Sequence, residues 1–177
     1  MTNTPPEAQA ASPPRAGLLL ATGFGLGYAP VAPGTAGSLG AAALFALLHQ
    51  TLEGPTFRYA YLFLLAWLVP IALWSTEQAL AHWKTSDPQA VVIDEILGQW
   101  LTFGGLVLAA FAGAPAAGWK YLLAGFILFR AFDIVKPFPI RRSERLGGAA
   151  GVVVDDVLAG AYAAAVLGAL AWTGWLN

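Results

Sequence analysis

Two short stretches of this chain nearly repeat one another. They are Val91-Val92-Ile93-Asp94-Glu95-Ile96-Leu97-Gly98 and Val152-Val153-Val154-Asp155-Asp156-Val157-Leu158-Ala159. Each sets two adjacent carboxylates at the head of a long apolar run. Ionised side chains are costly inside a bilayer and are kept there mainly for function. A single acid near a helix start is explained by the positive end of the helix dipole, worth about 0.3–1 kcal/mol. Two successive acids, repeated on two helices, exceed that need. Neighbouring helical residues point about 100° apart, so one acid of each pair can face a shared site while the other serves as a second ligand or supports it. Like charges at short range require a cation, and oxygen donors without Cys or His suit Mg²⁺ or Mn²⁺.

A third cluster is Phe129-Arg130-Ala131-Phe132-Asp133-Ile134-Val135-Lys136-Pro137-Phe138-Pro139-Ile140. Arg130, Asp133 and Lys136 broadly share one helical face. Either they neutralise one another as a ladder, or Asp133 adds a metal ligand while Arg130 and Lys136 hold a phosphate. Snorkelling to the interface also accounts for Lys136 and Arg141. The fourth element is Ala32-Pro33-Gly34-Thr35-Ala36-Gly37-Ser38. It is either a structural helix start or an anion site in which backbone N–H groups at Gly34 are joined by the Thr35 and Ser38 hydroxyls. Asp87-Pro88 reads as a turn or as a further acid beside the metal. His49 and His82 read as structural or interfacial.

These residues need a scaffold, and composition says which kind. Of 177 residues, 58% are hydrophobic and 11% charged, against about 25% charged in soluble domains. The net charge of −1 gives no case for nucleic-acid binding. The absence of cysteine excludes disulfides, thiolate metal sites and a cysteine nucleophile. Residues 1–16, rich in Pro and Ala, read as a disordered tail and not as a cleaved signal peptide; residues 17–177 form a single membrane-embedded domain. Gly17–Tyr28 is apolar but glycine-broken, which predicts a re-entrant or interfacial segment. Apolar runs at about 36–52, 57–80, 91–111, 119–135 and 152–172 complete an all-α, polytopic membrane helix bundle of about four to five spans, with a kink at Pro70.

Following the chain through these spans brings every polar motif to one face. Arg15, Lys84, Lys136, Arg141, Arg142 and Arg145 flank that face, and Arg58 and Lys120 the other. The excess of positive charge predicts that the motif-bearing face is cytoplasmic. Gly98 and Gly105 on the third span, with Ala159, Gly160 and Ala163 on the fifth, predict a close helix pair that brings the two acid pairs together.

Taken in order, the four motifs resemble the phosphatidylglycerophosphatase A family. The resemblance runs from Thr22-Gly23-Phe24-Gly25 to the end of the fifth span. It is carried by Ala32–Ser38, by Asp94-Glu95-x-x-Gly98, by Phe129-Arg130-x-x-Asp133-x-x-Lys136-Pro137-x-Pro139-Ile140, and by Gly148-x-x-Gly151-x-x-x-Asp155-Asp156-x-x-Ala159-Gly160. Gln99 departs from it, standing where a more apolar residue is usual. The resemblance implies a Mg²⁺-dependent lipid phosphatase of the bacterial inner membrane, multi-pass, acting in phospholipid biosynthesis. Its phospholipid substrate, phosphatidylglycerophosphate, would yield phosphatidylglycerol, the precursor of cardiolipin; no protein partner is implied.

The residues agree with that expectation. No Cys, well-placed His or Asp-x-Asp pair offers a nucleophile, so the simplest mechanism is attack by a metal-activated water. Asp94, Glu95, Asp133, Asp155 and Asp156 are the expected metal ligands, one of them serving as general base. Arg130, Lys136 and Arg141 would neutralise the phosphate, with Gly34, Thr35 and Ser38 binding its oxygens. Two rival classes fit less well. A CDP-alcohol phosphotransferase needs an Asp-Gly…Ala-Arg…Gly…Asp…Asp string that the chain lacks. A transporter predicts charges near the membrane midplane, whereas these gather at one face.

Overall fold

Proline and glycine punctuate the chain, and the helices lie between them. The computed structural model describes residues 15–114 and 118–176. Its α-helices are α1 (Arg15–Ala21), α2 (Pro33–Thr51), α3 (Gly54–Trp83), α4 (Ile93–Phe111), α5 (Trp119–Val135), α6 (Ile140–Ser143) and α7 (Gly148–Thr173). Two short 3-10 turns, Leu26–Tyr28 and Glu144–Leu146, complete the order, with no strand among the described residues. The fold is therefore all-α, as expected. Residues 1–14 of the anticipated tail lie outside the described residues, whereas Arg15 and Ala16 already belong to α1.

Helix α2 starts with Pro33 in its first turn, where the missing N–H costs nothing and φ is already helical. Lys84 and Lys136 end α3 and α5 in the left-handed conformation. Pro137 then prevents α5 from continuing. Helix α3 passes through Pro70 as one continuous helix. The five predicted spans correspond to α2, α3, α4, α5 and α7, with one informative shift: α7 begins at Gly148, before the predicted Val152. Within Ala32–Ser38, residues 33–38 form the first turns of α2, ahead of the predicted start of that span at about residue 36.

Helix α4 is the central post. It is largely buried up to Val107, with Leu108, Ala110 and Phe111 exposed in its last turn, and it packs on α7 most extensively, then on α2, α3 and α5. Its lower half joins an aromatic core in which Phe45 stacks on Phe103 at 4.4 Å and Tyr61 on Trp100 at 5.6 Å. The Tyr61 hydroxyl donates to the Trp100 carbonyl at 2.7 Å.

The α4–α7 contact is made by small residues. A Cβ on Gly160 would strike the Gly98 carbonyl, one on Gly98 would strike the Asp156 carbonyl and the Phe129 ring, and one on Gly105 would strike the Ala164 carbonyl. Ala159 and Ala163 are fully buried alongside. The predicted close approach is present, backbone against backbone.

The outside of the bundle is apolar. Tyr59, Phe63, Trp67, Leu108 and Ile127 are all more than half exposed. Helices α3 and α7, of 30 and 26 residues, are long and apolar enough to cross a membrane. At 1.5 Å per residue both exceed the roughly 30 Å hydrocarbon core. Helix α1 covers the glycine-broken N-terminal segment's first half and lies against α3, with Gly17 against Gln78 and Trp74. The Val92 amide donates to the Ala21 carbonyl, fastening this segment beside the start of α4.

Candidate active site

Helices α4 and α7 run in the same direction from the same end of the bundle, and α5 ends there. Their acids line a cleft of about 310 Å³ together with Ser86, Asp87, Asp133, Lys136 and the glycines 147, 148 and 151. Asp94 and Glu95 occupy the first turn of α4, as expected. Asp155 and Asp156 sit two turns into α7, whose first turn has no acid. The two sequence repeats are therefore not equivalent in the fold. A favourable helix-end charge explains neither Asp155 nor Asp156, because that effect fades within the first turn.

The bundle sorts the five candidate ligands. Asp94, Glu95 and Asp156 each turn a carboxylate oxygen to a common point, all within 4.8 Å of one another. Asp94 Oδ1 and Glu95 Oε2 are buried without a hydrogen-bond partner. Buried carboxylate oxygens left in that state are unfavourable, and a hard cation fits their all-oxygen donor set. Asp155 points to a different neighbour, accepting from Lys136 Nζ at 2.6 Å. Asp133 pairs with Arg130 at 2.8 Å on its own helix and lies within electrostatic reach of Glu95 and Asp156. The basic ladder thus divides: Arg130 keeps to α5, and Lys136 crosses to α7.

At the start of α2, where an anion site is one of the two expectations, the three residues are placed differently from one another. Ser38 is fully buried, and its hydroxyl donates to the Gly34 carbonyl at 2.9 Å within the same helix. Thr35 is half-buried and neither hydroxyl lines the cleft. Gly34 has a direct part: a Cβ there would land on the Glu95 carboxylate. The negative group seated against this helix start is the chain's own glutamate. Arg141 is exposed in α6, outside the cleft lining. Asp87 lies on the cleft wall but outside the trio.

Ser86 and Gly147 carried no sequence signal, since a loop serine and a glycine before a helix are commonplace. Gln99, one turn below Glu95, is fully buried with both amide atoms unpartnered. The structure gives no reason for that polarity.

The sequence profile of the phosphatidylglycerophosphatase A family matches residues 19–171. The chain belongs to that family. Two relatives of that name come from Haemophilus influenzae, 39% identical over 86% of both chains, and Escherichia coli, 34% identical over 84% of this chain and 80% of its own. A Bacteroides thetaiotaomicron protein, provisionally named as a phosphatidylinositol-3-phosphatase, is 36% identical over 88% of this chain and 93% of its own. No solved structure matches the chain significantly. Family membership makes the protein a phosphatase, a phosphoric monoester hydrolase, and the cleft at the head of α4 and α7 is where its carboxylates and its lysine meet.

Proposed function

We propose that this phosphatase hydrolyses phosphatidylglycerophosphate to phosphatidylglycerol and inorganic phosphate at the cytoplasmic face of a bacterial inner membrane, with Mg²⁺ as cofactor, supplying phosphatidylglycerol to phospholipid biosynthesis. The observation that carries the reading is the convergence of Asp94, Glu95 and Asp156 beside the Lys136–Asp155 pair in one cleft. Six cleft carboxylates face the charges of Lys136 and nearby Arg130, an imbalance that a divalent cation reduces. Asp94, Glu95 and Asp156 would hold that cation, with Asp133 at its margin. When bound, it supplies Lewis-acid stabilisation of the charge building on the phosphate oxygens.

The chain's own groups do the remainder. Lys136 meets the phosphate as a point charge, and Asp155 holds its ammonium at the cleft wall. Arg130, aligned by Asp133, adds a second positive charge near Glu95. A cleft carboxylate takes the proton of the attacking water. The head group leaves as the alcohol of phosphatidylglycerol, its oxygen receiving the proton that the carboxylate took from the water.

The surface supports a position in the membrane. Phe24, Tyr28, Val31, Ile134, Val135, Phe138 and Leu146 are strongly exposed at the cleft end, where they would enter the interfacial zone and set the cleft at headgroup depth. Helices α2, α3, α4, α5 and α7 are the spans, and the basic residues at the cleft end favour the cytoplasm.

A purified sample in detergent should release phosphate from phosphatidylglycerophosphate and lose that activity to a chelator, with Mg²⁺ restoring it. Full activity of the chelated protein would overturn the metal assignment. The Bacteroides relative's name supports a second substrate, phosphatidylinositol 3-phosphate, also a phosphomonoester on a hydroxylated head group. A side-by-side assay of the two lipids decides between them.

A further inference from the structure

Asp87 stands apart from the other acids of the cleft. Asp94, Glu95 and Asp156 share the candidate cation site, while Asp133 and Asp155 each face a basic side chain. Asp87 is on the cleft wall, exposed, outside the trio, and without an ion pair among the described residues. The neighbouring Ser86 lines the same wall. Their loop is fastened at both ends. The Lys84 amide donates to Leu80, the Val91 amide to Pro88 and the Val92 amide to Ala21, all at 2.9 Å, and Pro88 is buried. Ser86 and Asp87 are thus presented from a short, anchored segment.

A carboxylate in a phosphate-binding cleft repels the phosphate. In direct contact with the substrate it is favourable where the substrate offers a hydrogen-bond donor, because an ionised carboxylate only accepts hydrogen bonds. The head group of the proposed substrate carries one such donor, the hydroxyl on the glycerol carbon between its two phosphates. We propose that Asp87, assisted by Ser86, accepts this hydroxyl and makes the enzyme specific for phosphomonoesters borne on a hydroxylated head group. Asp87 is then a specificity-determining residue. Phosphatidic acid, which lacks that hydroxyl, leaves the carboxylate beside the phosphate with nothing to accept. The inference rests on the proposed lipid phosphatase reading.

The test compares phosphatidylglycerophosphate with an analogue bearing hydrogen in place of that hydroxyl, in the same mixed micelles. Wild-type enzyme should lose about 10- to 100-fold in kcat/KM on the analogue, the range expected for a hydrogen bond to a charged group. Asp87→Ala should lose a similar factor on the natural lipid and then barely distinguish the two. Ser86→Ala should shift the ratio in the same direction by less. An equal fall on both lipids in Asp87→Ala, or a wild-type enzyme indifferent to the hydroxyl, overturns the assignment. Wild-type protein inactive on both lipids overturns the substrate reading and this inference with it, an outcome distinct from a changed or unchanged ratio.

Discussion

Asp94, Glu95 and Asp156 bring carboxylate oxygens within 4.8 Å of one another, and in the proposed site each would contribute through its charge, not its bulk. Asp94→Asn and Asp156→Asn keep the shape and remove a formal charge. Both should cut phosphate release by at least about 100-fold and weaken Mn²⁺ binding measured by paramagnetic resonance; unchanged binding in both would sink the cation site. Lys136→Met leaves Asp155 buried without its partner and should lower kcat/KM by about 10- to 1,000-fold. These residue types were all legible in the sequence, because carboxylates beside lysine in apolar helices have few uses. Their partners were not legible. Nothing in the spacing says that Lys136 reaches Asp155 rather than continuing the ladder with Asp133, or that Ser38 bonds back to Gly34. Those choices depend on how α5 and α7 cross, which is a tertiary matter.

Among the elements, the α4–α7 pair sets the spacing of the trio. Asp94 and Glu95 are on one helix and Asp156 on the other, and Gly98 and Gly160 allow the backbones to touch between them. Gly160→Val would force the helices apart at the level of the site. It should destabilise the protein by about 1–3 kcal/mol or more, read as a lower thermal midpoint in detergent, and should abolish activity even though no acid has changed. Leu108→Ala, on the exposed side of α4, should leave both almost unaltered. The small residues and the five long helices were readable from apolar run length and composition, whereas the four-residue α6 was not. The start of α7 was less so: Gly147 and Gly148 adopt positive φ, and glycines there fit a helix entry as well as a loop. The glycines concealed that Asp155 and Asp156 lie deep in a helix.

At the scale of the whole molecule, the five long helices place the cleft at one end of the bundle. A second cavity, of about 560 Å³ and lined by Phe45, Phe57, Leu106 and Trp119, opens at the other. The chain has no cysteine, which makes sidedness directly measurable. Arg145→Cys at the cleft end and Lys120→Cys at the other end should react with a membrane-impermeant maleimide from opposite sides. The first should label only in inverted vesicles. Labelling of both from one side would contradict the proposed topology.

The burial of α4 around its acids has a consequence for the lipid. The turns of α4 that carry Asp94 and Glu95 are wrapped by neighbouring helices, so an acyl chain finds no room beside these acids, and the cleft is near the small end of ligand pockets. On the proposed reading the diacyl body would remain among its fellow lipids while only the phosphorylated head bends inward. The enzyme would then sample the membrane from its edge, as a hand reaches through a window. Turnover should hardly depend on the length or unsaturation of the fatty acids, and a kcat that varied steeply with chain length would contradict that picture.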